Sequence, residues 1–163
     1  MIRYVDHTEG VLPRHLEGFF ADWPNPPSPD THLRLLEKSD EIVLAIDEAP
    51  RQVVGFITAI TDGVLSAYIP FLEVRPAAQG RGIGRELTRR MLARLAGFYM
   101  IDLVCDADLQ SFYADFGMRP TAAMSIRDHE HQAGRQRADI HRGEQEFPGC
   151  IEGASSGEVP LAS

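Results

Sequence analysis

A glycine-rich turn between a strand-like run and an amphipathic stretch constrains this chain more than any other feature. The sequence VRPAAQGRGIGREL places Gly80, Gly82 and Gly84 at alternate positions, where the amphipathic stretch begins. Glycines let the main chain approach a ligand closely, and the N-terminus of a helix adds partial positive charge. The alternative is a turn that needs glycine for its shape alone. Polar and basic residues border the glycines and favour an anion-binding loop; they are Gln79, Arg81 and Arg85.

The spacing of these glycines excludes the two commonest phosphate-binding motifs. The chain contains no GxxxxGK[ST] pattern of the kind found in nucleoside triphosphate-binding loops. The glycines recur at i, i+2 and i+4, which does not fit the GxGxxG pattern of dinucleotide-binding proteins. We therefore expect a phosphorylated ligand of another kind.

Hydrophobic periodicity around the loop predicts a domain that mixes strands and helices. Apolar residues recur every fourth position from Ile83 to Leu95, which predicts an amphipathic helix that stops at Gly97. Ser28 followed by Pro29 predicts the start of an earlier helix. We expect strands at 2–5, 42–46, 53–60, 64–74, 100–105 and 121–127, and further helices at 12–20, 29–39 and 108–116.

Length and composition fit one domain with its own hydrophobic core. The chain has 163 residues, of which 44% are hydrophobic, and no apolar run reaches the roughly 18 to 20 residues that cross a bilayer. Cys105 and Cys150 are the only cysteines, and neither has metal-binding spacing. The histidines of HEH at 129–131 lack further spaced ligands, so we expect no metal. Without a leader pattern, we expect a cytoplasmic protein that does not contact membranes.

The net charge of −8 is unevenly distributed. Residues 1–74 carry 12 acids and 5 bases, 75–127 carry 5 and 8, and 128–163 carry 7 and 3, for net charges of −7, +3 and −4. The acidic first part argues against binding to nucleic acid phosphates. The basic middle suits a small phosphorylated ligand, although a solvated arginine face on a helix is the alternative.

The loop and its surroundings resemble the GNAT N-acetyltransferase superfamily. The pyrophosphate loop of that family reads [QR]xxGx[GA], and Gln79 to Gly84 match its spacing throughout. LEV before the loop, the amphipathic helix after it, and the later SFYADFGM follow the family's order, so the resemblance covers about residues 2–127. It implies an α+β fold with a mixed, mostly antiparallel sheet that is flanked by helices and splayed between its fourth and fifth strands.

This resemblance implies that acetyl-coenzyme A binds, as a co-substrate, in the opening of the sheet. Main-chain groups around Leu72, Glu73 and Val74 would pair with the pantetheine arm, and amides from Gln79 to Arg85 would bind the pyrophosphate. Pro70 cannot donate a ladder hydrogen bond and lies where a bulge or splay can begin. The implied cofactor residues are Leu72, Val74, Gln79, Gly80, Arg81, Gly82, Ile83, Gly84 and Arg85.

Tyr113 in SFYADFGM matches the position where the family often has a tyrosine that protonates the departing thiolate. The resemblance thus implies that Tyr113 is the general acid. The neighbouring Phe112 and Phe116 show that this helix has an aromatic packed side, so Tyr113 as a core residue is the alternative.

An alkylammonium acceptor must lose a proton before it attacks, so a base is expected near the reacting carbon. Glu73 is the leading candidate because it lies beside the implied thioester region, on the face opposite Leu72 and Val74. The alternative for Glu73 is a structural ion pair with an arginine such as Arg75 or Arg119. Asp62, at the preceding turn, is the second candidate on the acceptor side.

The proline-rich loop around Trp23 lies where the family shapes its acceptor pocket. Trp23 offers an aromatic wall for a cation, and the charge of −7 on residues 1–74 also favours a basic acceptor. The alternative is a stiff cover over the core.

Two interpretations of the whole chain stay open. One is an acetyl-coenzyme A-dependent N-acetyltransferase for a primary amine of a small molecule or protein, and the other is a non-catalytic acyl-coenzyme A-binding or regulatory module. The domain should span 1–127, with a polar, loosely ordered tail at 128–163. Family members often end in two substantial strands, whereas 118–127 has room for one. Another subunit, as in a homodimer, is one way to complete the acceptor side.

Overall fold

A computed structural model of the protein describes residues 1–135; residues 136–163, most of the expected tail, lie outside that range. The described chain contains strands, helices and short 3-10 turns. The strands are β1 (Ile2–Val5), β2 (Glu41–Asp47), β3 (Gln52–Thr61), β4 (Ser66–Val74) and β5 (Met100–Leu103). The helices are α1 (Pro29–Lys38), α2 (Ile83–Arg94) and α3 (Gln110–Ala114).

The strands form one mixed sheet in the order in which they occur along the chain. Neighbours from β1 to β4 pair antiparallel, whereas β4 and β5 are parallel, with Ser66 opposite Met100. Parallel neighbours require a long crossover connection, and α2 lies within it. The predicted mixed, mostly antiparallel sheet is therefore confirmed.

The sheet has a hydrophobic core on each face. The α2 core buries Leu87, Met91 and Leu95 of the α2 segment against apolar side chains of β2, β3 and β4. The α1 core lies on the other face and packs Leu36 of α1 and the aromatic ring of Phe56 with the segment before α1. Burial of apolar area on both faces is the main source of stability for such a sheet.

Local sequence signals account for the two longer helices. The hydroxyl oxygen of Ser28 accepts a hydrogen bond from the Thr31 amide at 3.2 Å, and Pro29 fills the first turn of α1. The four-residue spacing on α2 places its apolar side on the sheet, and Gly97 follows its end with φ of 103°. No helix within residues 1–135 is long and apolar enough to cross a membrane.

An extra residue in β4 produces a β-bulge at Ile69 and Pro70, which together lie opposite Ala59 of β3. The register with β3 shifts between Thr58 and Ile60, because two steps along β3 correspond to three along β4. Ile69 and Leu72 consequently both contact the α2 core, although they are three residues apart. The predicted bulge near Pro70 is thus present.

Two predicted elements are wrong. The helix expected at 12–20 is only a 3-10 turn at Pro13–Leu16, because Gly18 and Phe20 both adopt positive φ. The strand expected at 121–127 does not form: no described strand pairs with it, and Met124 is fully exposed at 101%. Alternating side chains make a strand only where a neighbouring backbone offers hydrogen bonds.

The helix expected at 108–116 is a 3-10 turn followed by the short α3.

Residues 128–135, the described part of the expected tail, attach to the loop before α1 and to α1 itself. The Asn25 amide donates to Oε1 of Gln132 at 3.0 Å, and the Arg34 guanidinium donates to the Arg135 carbonyl at 3.0 Å. A Cβ atom on Gly134 would lie 2.7 Å from Thr31, so glycine permits this close approach. This part of the chain therefore packs on the domain.

Candidate active site

A cleft opens in the sheet where β4 and β5 stop pairing. Their register ends at Ile69 opposite Leu103, and the next residue of β4, Pro70, has no amide hydrogen to donate. The predicted splay between the fourth and fifth strands is confirmed, and it borders a cleft of about 520 Å³. The cleft brings together six residues selected from the sequence: Trp23, Leu72, Glu73, Val74, Gln79 and Tyr113.

Main-chain groups of β4 point into this cleft. The Arg75 amide donates to the Val54 carbonyl of β3 at 2.9 Å, so Arg75 faces β3. In an antiparallel pair, successive residues alternate between facing the partner strand and facing away from it. The amide and carbonyl groups of Leu72 and Val74 are therefore directed away from β3, and Nε2 of Gln79 donates to the Val74 carbonyl at 3.0 Å.

The glycine loop leads from the cleft into the first turn of α2. Gly80 and Gly82 have φ of 72° and 78°, in the left-handed region that favours glycine. A Cβ atom at either position would meet no atom within 4 Å, so the space beside the loop is open. Ile83 starts the helix and is buried in the α2 core, which fixes the helix N-terminus beside the loop. Such a terminus can bind an anion.

The two arginines at the loop have different surroundings. Arg85 forms an ion pair with Asp115, and its guanidinium lies 5.5 Å from the ring centroid of Phe116. Arg81 is exposed on the loop itself. The positive charge beside the loop is therefore carried by Arg81 and by an Arg85 that Asp115 partly neutralises.

Tyr113 is the buried residue of α3 and lines the cleft beside Cys105. Its side chain is 8% exposed, and its ring packs edge-on against Phe112 with centroids 4.9 Å apart. Burial raises the pKa of Tyr113 to about 12, and the neighbouring Cys105 adds to the increase. The hydroxyl consequently keeps its proton at neutral pH, as a proton donor must.

Glu73 lies in the cleft with one carboxylate oxygen engaged. Its Oε1 accepts a hydrogen bond from the Phe20 amide at 2.8 Å. Burial raises the pKa of the Glu73 carboxyl, the Phe20 bond offsets part of that increase, and the charge of Asp22 adds to it. Among residues 1–135, neither Arg75 nor Arg119 forms an ion pair with it. The carboxylate is thus shared between the cleft and the Phe20 main chain.

Phe20 to Trp23 form the wall of the cleft that contacts Glu73. Phe20 has φ of 57°, a conformation that costs a bulky side chain energy and that persists only where the surroundings enforce it. Its ring packs at centroid distances of 5.0 Å from Trp23 and 5.9 Å from Phe71. The result is an aromatic wall that also carries the carboxylate of Asp22.

Asp62 is not part of the cleft lining; its carboxylate organises the turn before β4. Oδ1 accepts hydrogen bonds from the amides of Val64, Leu65 and Ser66 at 2.8 to 3.0 Å, and Oδ2 accepts one from the Ser66 hydroxyl. These bonds hold the pKa of Asp62 well below its usual range. The structure therefore gives this residue a local structural role and does not bring it to the other selected residues.

Several lining residues were not selected from the sequence. Phe20 and Phe71 carry no signal that separates them from ordinary core aromatics, and Asp22 is one acid among many. Cys105 ends the segment predicted to border the opening, so its position offered a signal. Arg127 reaches the cleft from the irregular segment that was expected to be a strand. Among the residues described, no cluster of three or more metal-ligating side chains occurs.

The mixed sheet, opened beside β4 and followed by a glycine loop at the start of α2, defines a GNAT-like acyltransferase domain. The model of the acetyltransferase (GNAT) family matches residues 9–118, so this chain belongs to that family. No curated protein matches the sequence.

Solved structures share the fold. A candidate acetyltransferase from Deinococcus radiodurans R1 is 44% identical, with a TM-score of 0.80 over 83% of this chain and 94% of that one. A GNAT-family acetyltransferase from Streptococcus pneumoniae TIGR4 is 27% identical, with a TM-score of 0.62 over 78% and 98%. Glucosamine-6-phosphate N-acetyltransferase from Arabidopsis thaliana is 11% identical, with a TM-score of 0.57 over 78% and 98%, and shows the shared fold alone.

Proposed function

We propose that this protein transfers an acetyl group from acetyl-coenzyme A directly to a primary amine of a small molecule or protein. The observation that carries the proposal is one cleft that joins the open main chain of β4, the protonated Tyr113 hydroxyl and the Glu73 carboxylate. Membership of the acetyltransferase family supports the reaction class.

The residues beside the cleft fit coenzyme A. Leu72 and Val74 present main-chain groups on the open side of β4, as a strand edge does for an added strand. Gln79 to Arg85 bring amides to the N-terminus of α2, which favours a pyrophosphate, and the space beside Gly80 and Gly82 accommodates it. Acetyl-coenzyme A supplies an activated acetyl thioester whose sulfur is the leaving group.

Tyr113 donates a proton to the departing sulfur in this proposal. A thiolate leaves more readily when a positioned acid protonates it. The high pKa of Tyr113 keeps its hydroxyl protonated over the whole neutral range. Its buried position on α3 also fixes the orientation of the ring, since Phe112 packs against it.

Glu73 receives the proton that the acceptor ammonium must lose before its nitrogen attacks. Since Oε1 is occupied by the Phe20 amide, Oε2 is the atom that takes the proton, directly or through a water molecule. Burial raises the pKa of this carboxyl above its usual value, which makes it a better base than an exposed glutamate.

The composition of the wall favours a cationic acceptor. Asp22 and Glu73 place two carboxyl groups in the cleft, and Trp23 and Phe71 add aromatic faces that attract ammonium groups. An acceptor screen tests this point: spermidine, cadaverine and lysine peptides should be acetylated, whereas activity only on neutral or acidic amines would contradict it.

Two measurements test the function as a whole. Acetyl-coenzyme A at high micromolar concentration should raise the Tm, because a ligand that binds only the folded state stabilises it. Release of free coenzyme A thiol should then accelerate when the proper amine is added. Binding without accelerated thiol release for any amine of a broad panel would favour the non-catalytic acyl-coenzyme A-binding module, and an unchanged Tm would refute both.

We also propose a reducing, cytoplasmic environment, which suits the free thiol of Cys105 in the cleft.

Within residues 1–135, β5 forms one edge of the sheet, and a second copy of the chain is the proposed partner for this edge. Light scattering after gel filtration distinguishes the resulting dimer from a monomer.

A further inference from the structure

The wall formed by Phe20 to Trp23 is preceded by a strained segment. Gly18 has φ of 81° and Phe20 has φ of 57°, so two left-handed residues lie within three positions. Glycine adopts a positive φ readily, but this conformation is unfavourable for phenylalanine. Tertiary contacts must therefore hold Phe20 in it. These contacts come from two neighbouring side chains on one face of β4 and its extension: Glu73 and Arg75.

Arg75 makes its contacts where the strained segment begins. Its guanidinium carbon lies 5.2 Å from the ring centroid of Phe19, a cation–π geometry. The same group would lie 3.8 Å from a Cβ atom on Gly18. The main chain of Arg75 is fixed at the same time by its hydrogen bond to Val54. Arg75 thus connects the sheet directly to Gly18 and Phe19.

The surroundings of Arg75 hold its side chain in one place. With the Gln52 amide in the orientation that its neighbours favour, its oxygen accepts from both terminal guanidinium nitrogens, at 2.9 and 3.0 Å. The Nε atom is shielded from solvent and has no hydrogen-bond partner among the described residues. Glu17 is the acid whose charge acts on the guanidinium. Holding a charged group in a half-buried site costs free energy, which indicates that Arg75 has a structural role there.

We infer that Arg75 is a positioning residue for the acceptor side of the cleft: it holds Gly18 and Phe19 so that Phe20 to Trp23 form the acceptor-binding wall. Glu73 holds the far end of the same segment through the Phe20 amide, at 2.8 Å. Glu73 and Arg75 therefore do not form an ion pair with each other. Arg75 contacts Gly18 and Phe19, and Glu73 contacts Phe20. This inference rests on the proposed function only for the identity of the bound molecule, not for the position of the wall.

The single tryptophan of the chain, Trp23, is half-buried in this wall and reports its position. Arg75→Met removes the charge and the donors but keeps an unbranched side chain. It should shift the Trp23 emission to longer wavelength and increase its quenching by acrylamide. Arg75→Lys, which keeps the charge without the planar fork, should lie between Arg75→Met and the wild type. Arg3→Met, on an exposed arginine that pairs with Glu48, is the matched control.

A substitution within the segment itself can also displace it. Gly18→Ala puts a side chain at φ of 81°, next to Arg75, and should change the Trp23 signal in the same direction as Arg75→Met. Gly97→Ala is the control, because Gly97 also has positive φ but no atom lies within 4 Å of its Cβ position. Agreement between Gly18→Ala and Arg75→Met would show that both act on one segment.

Kinetics separates positioning from general loss of structure. With spermidine or cadaverine as acceptor, Arg75→Met should raise the KM for the amine about tenfold, since small misplacements of a binding wall are costly. The KM for acetyl-coenzyme A should stay at the wild-type value. The inference is overturned if Trp23 emission and quenching in folded Arg75→Met match those of Arg3→Met, or if both KM values rise together. Failure of the proposed function is distinguishable, because it would appear in the wild type, either as a Tm that acetyl-coenzyme A does not change or as no amine-dependent release of coenzyme A, while the fluorescence comparison stands.

Discussion

The two sides of the cleft are built in different ways. The side proposed for coenzyme A comes from one continuous segment, 72–85, and relies on main-chain groups and glycine conformation. The side proposed for the acceptor is assembled from distant parts of the chain: the Phe20 amide donates to Glu73, 53 residues away, and the Asn25 amide donates to Gln132, 107 residues away. The first side follows from local sequence, whereas the second depends on long-range packing.

This difference indicates how the two sides can change. A binding site made of main-chain groups tolerates many substitutions but not the loss of a required backbone conformation. A wall made of distant side chains changes shape when any of its supports changes. Under the proposed function, acceptor preference and coenzyme A binding can therefore change independently, and mutations should separate the two properties.

The largest effect is expected at Tyr113, where the two sides meet. Tyr113→Phe should lower kcat about 10³-fold, because it removes the proposed proton donor, and should leave the Kd for acetyl-coenzyme A unchanged. Since the pKa of Tyr113 is about 12, the loss should be equal at every pH from 6 to 9. Steady-state kinetics with Tyr99→Phe, an exposed tyrosine, provides the control. Unchanged turnover over the full pH range would remove Tyr113 from the mechanism.

The second largest effect is expected on stability at low pH, through the buried His32 beneath the wall formed by Phe20 to Trp23. His32 is 1% exposed, and its ring packs against Phe19, Phe20 and Phe56 at centroid distances of 4.5 to 5.2 Å. Burial lowers the pKa of His32 to about 4, and the Leu16 main chain offsets only part of this. The acceptor side should therefore be the acid-sensitive one.

The sign of this pH effect follows from the two pKa values of His32. Below about pH 6.5 the unfolded chain binds a proton that the folded chain excludes, so stability falls as the pH drops towards 4 and this contribution then levels off. The loss is about 3 kcal/mol at pH 4. In denaturant titrations at pH 7.5 and pH 4, His32→Leu should lose this part of the pH dependence. Exposed His7→Leu should keep it, and an equal pH dependence in both variants would contradict the assignment.

On the coenzyme A side, Gly82→Val should weaken acetyl-coenzyme A binding about tenfold, because a β-branched residue strongly resists φ of 78°. Calorimetric titration measures this change. Gly63→Val is the matched control, since Gly63 has φ of 74° in a turn outside the cleft. If both variants bound acetyl-coenzyme A like the wild type, the glycine loop would not be the pyrophosphate site.

The smallest effect is expected at Asp62. Asp62→Ala removes the acceptor of the turn amides and should lower the Tm by a few degrees, as the loss of a local turn usually does. Neither the KM for the amine nor the KM for acetyl-coenzyme A should change. A raised amine KM without loss of Tm would return Asp62 to the acceptor site.

Local signals predicted several elements of the fold correctly. The four-residue spacing of α2, the Ser28 cap of α1 and the proline-linked opening of β4 all act within a few residues, so the sequence contains them directly. The position of Glu73 opposite Leu72 and Val74 followed from strand alternation.

The remainder depended on partners that lie far along the chain. The apolar spacing from Leu12 to Phe20 is typical of a helix, yet the Glu73 and Arg75 contacts hold this segment in left-handed turns. The alternation at 121–127 had no signal for whether a neighbouring strand exists. No sequence signal indicated that a main-chain amide would donate to Glu73; the two predictions for this residue were a catalytic base and an ion pair with an arginine.

The bulge at Ile69 and Pro70 fixes which face of the sheet each half of β4 presents its side chains to. Residues before it and residues after it each alternate regularly, but the extra residue offsets the two halves by one position. Deleting one residue there would force one half to exchange faces: either Ala67 and Ile69 would leave the α2 core, or Glu73 would leave the cleft. Evolution of this domain can therefore vary many side chains along the strand, while the number of residues between Ile69 and Glu73 stays fixed.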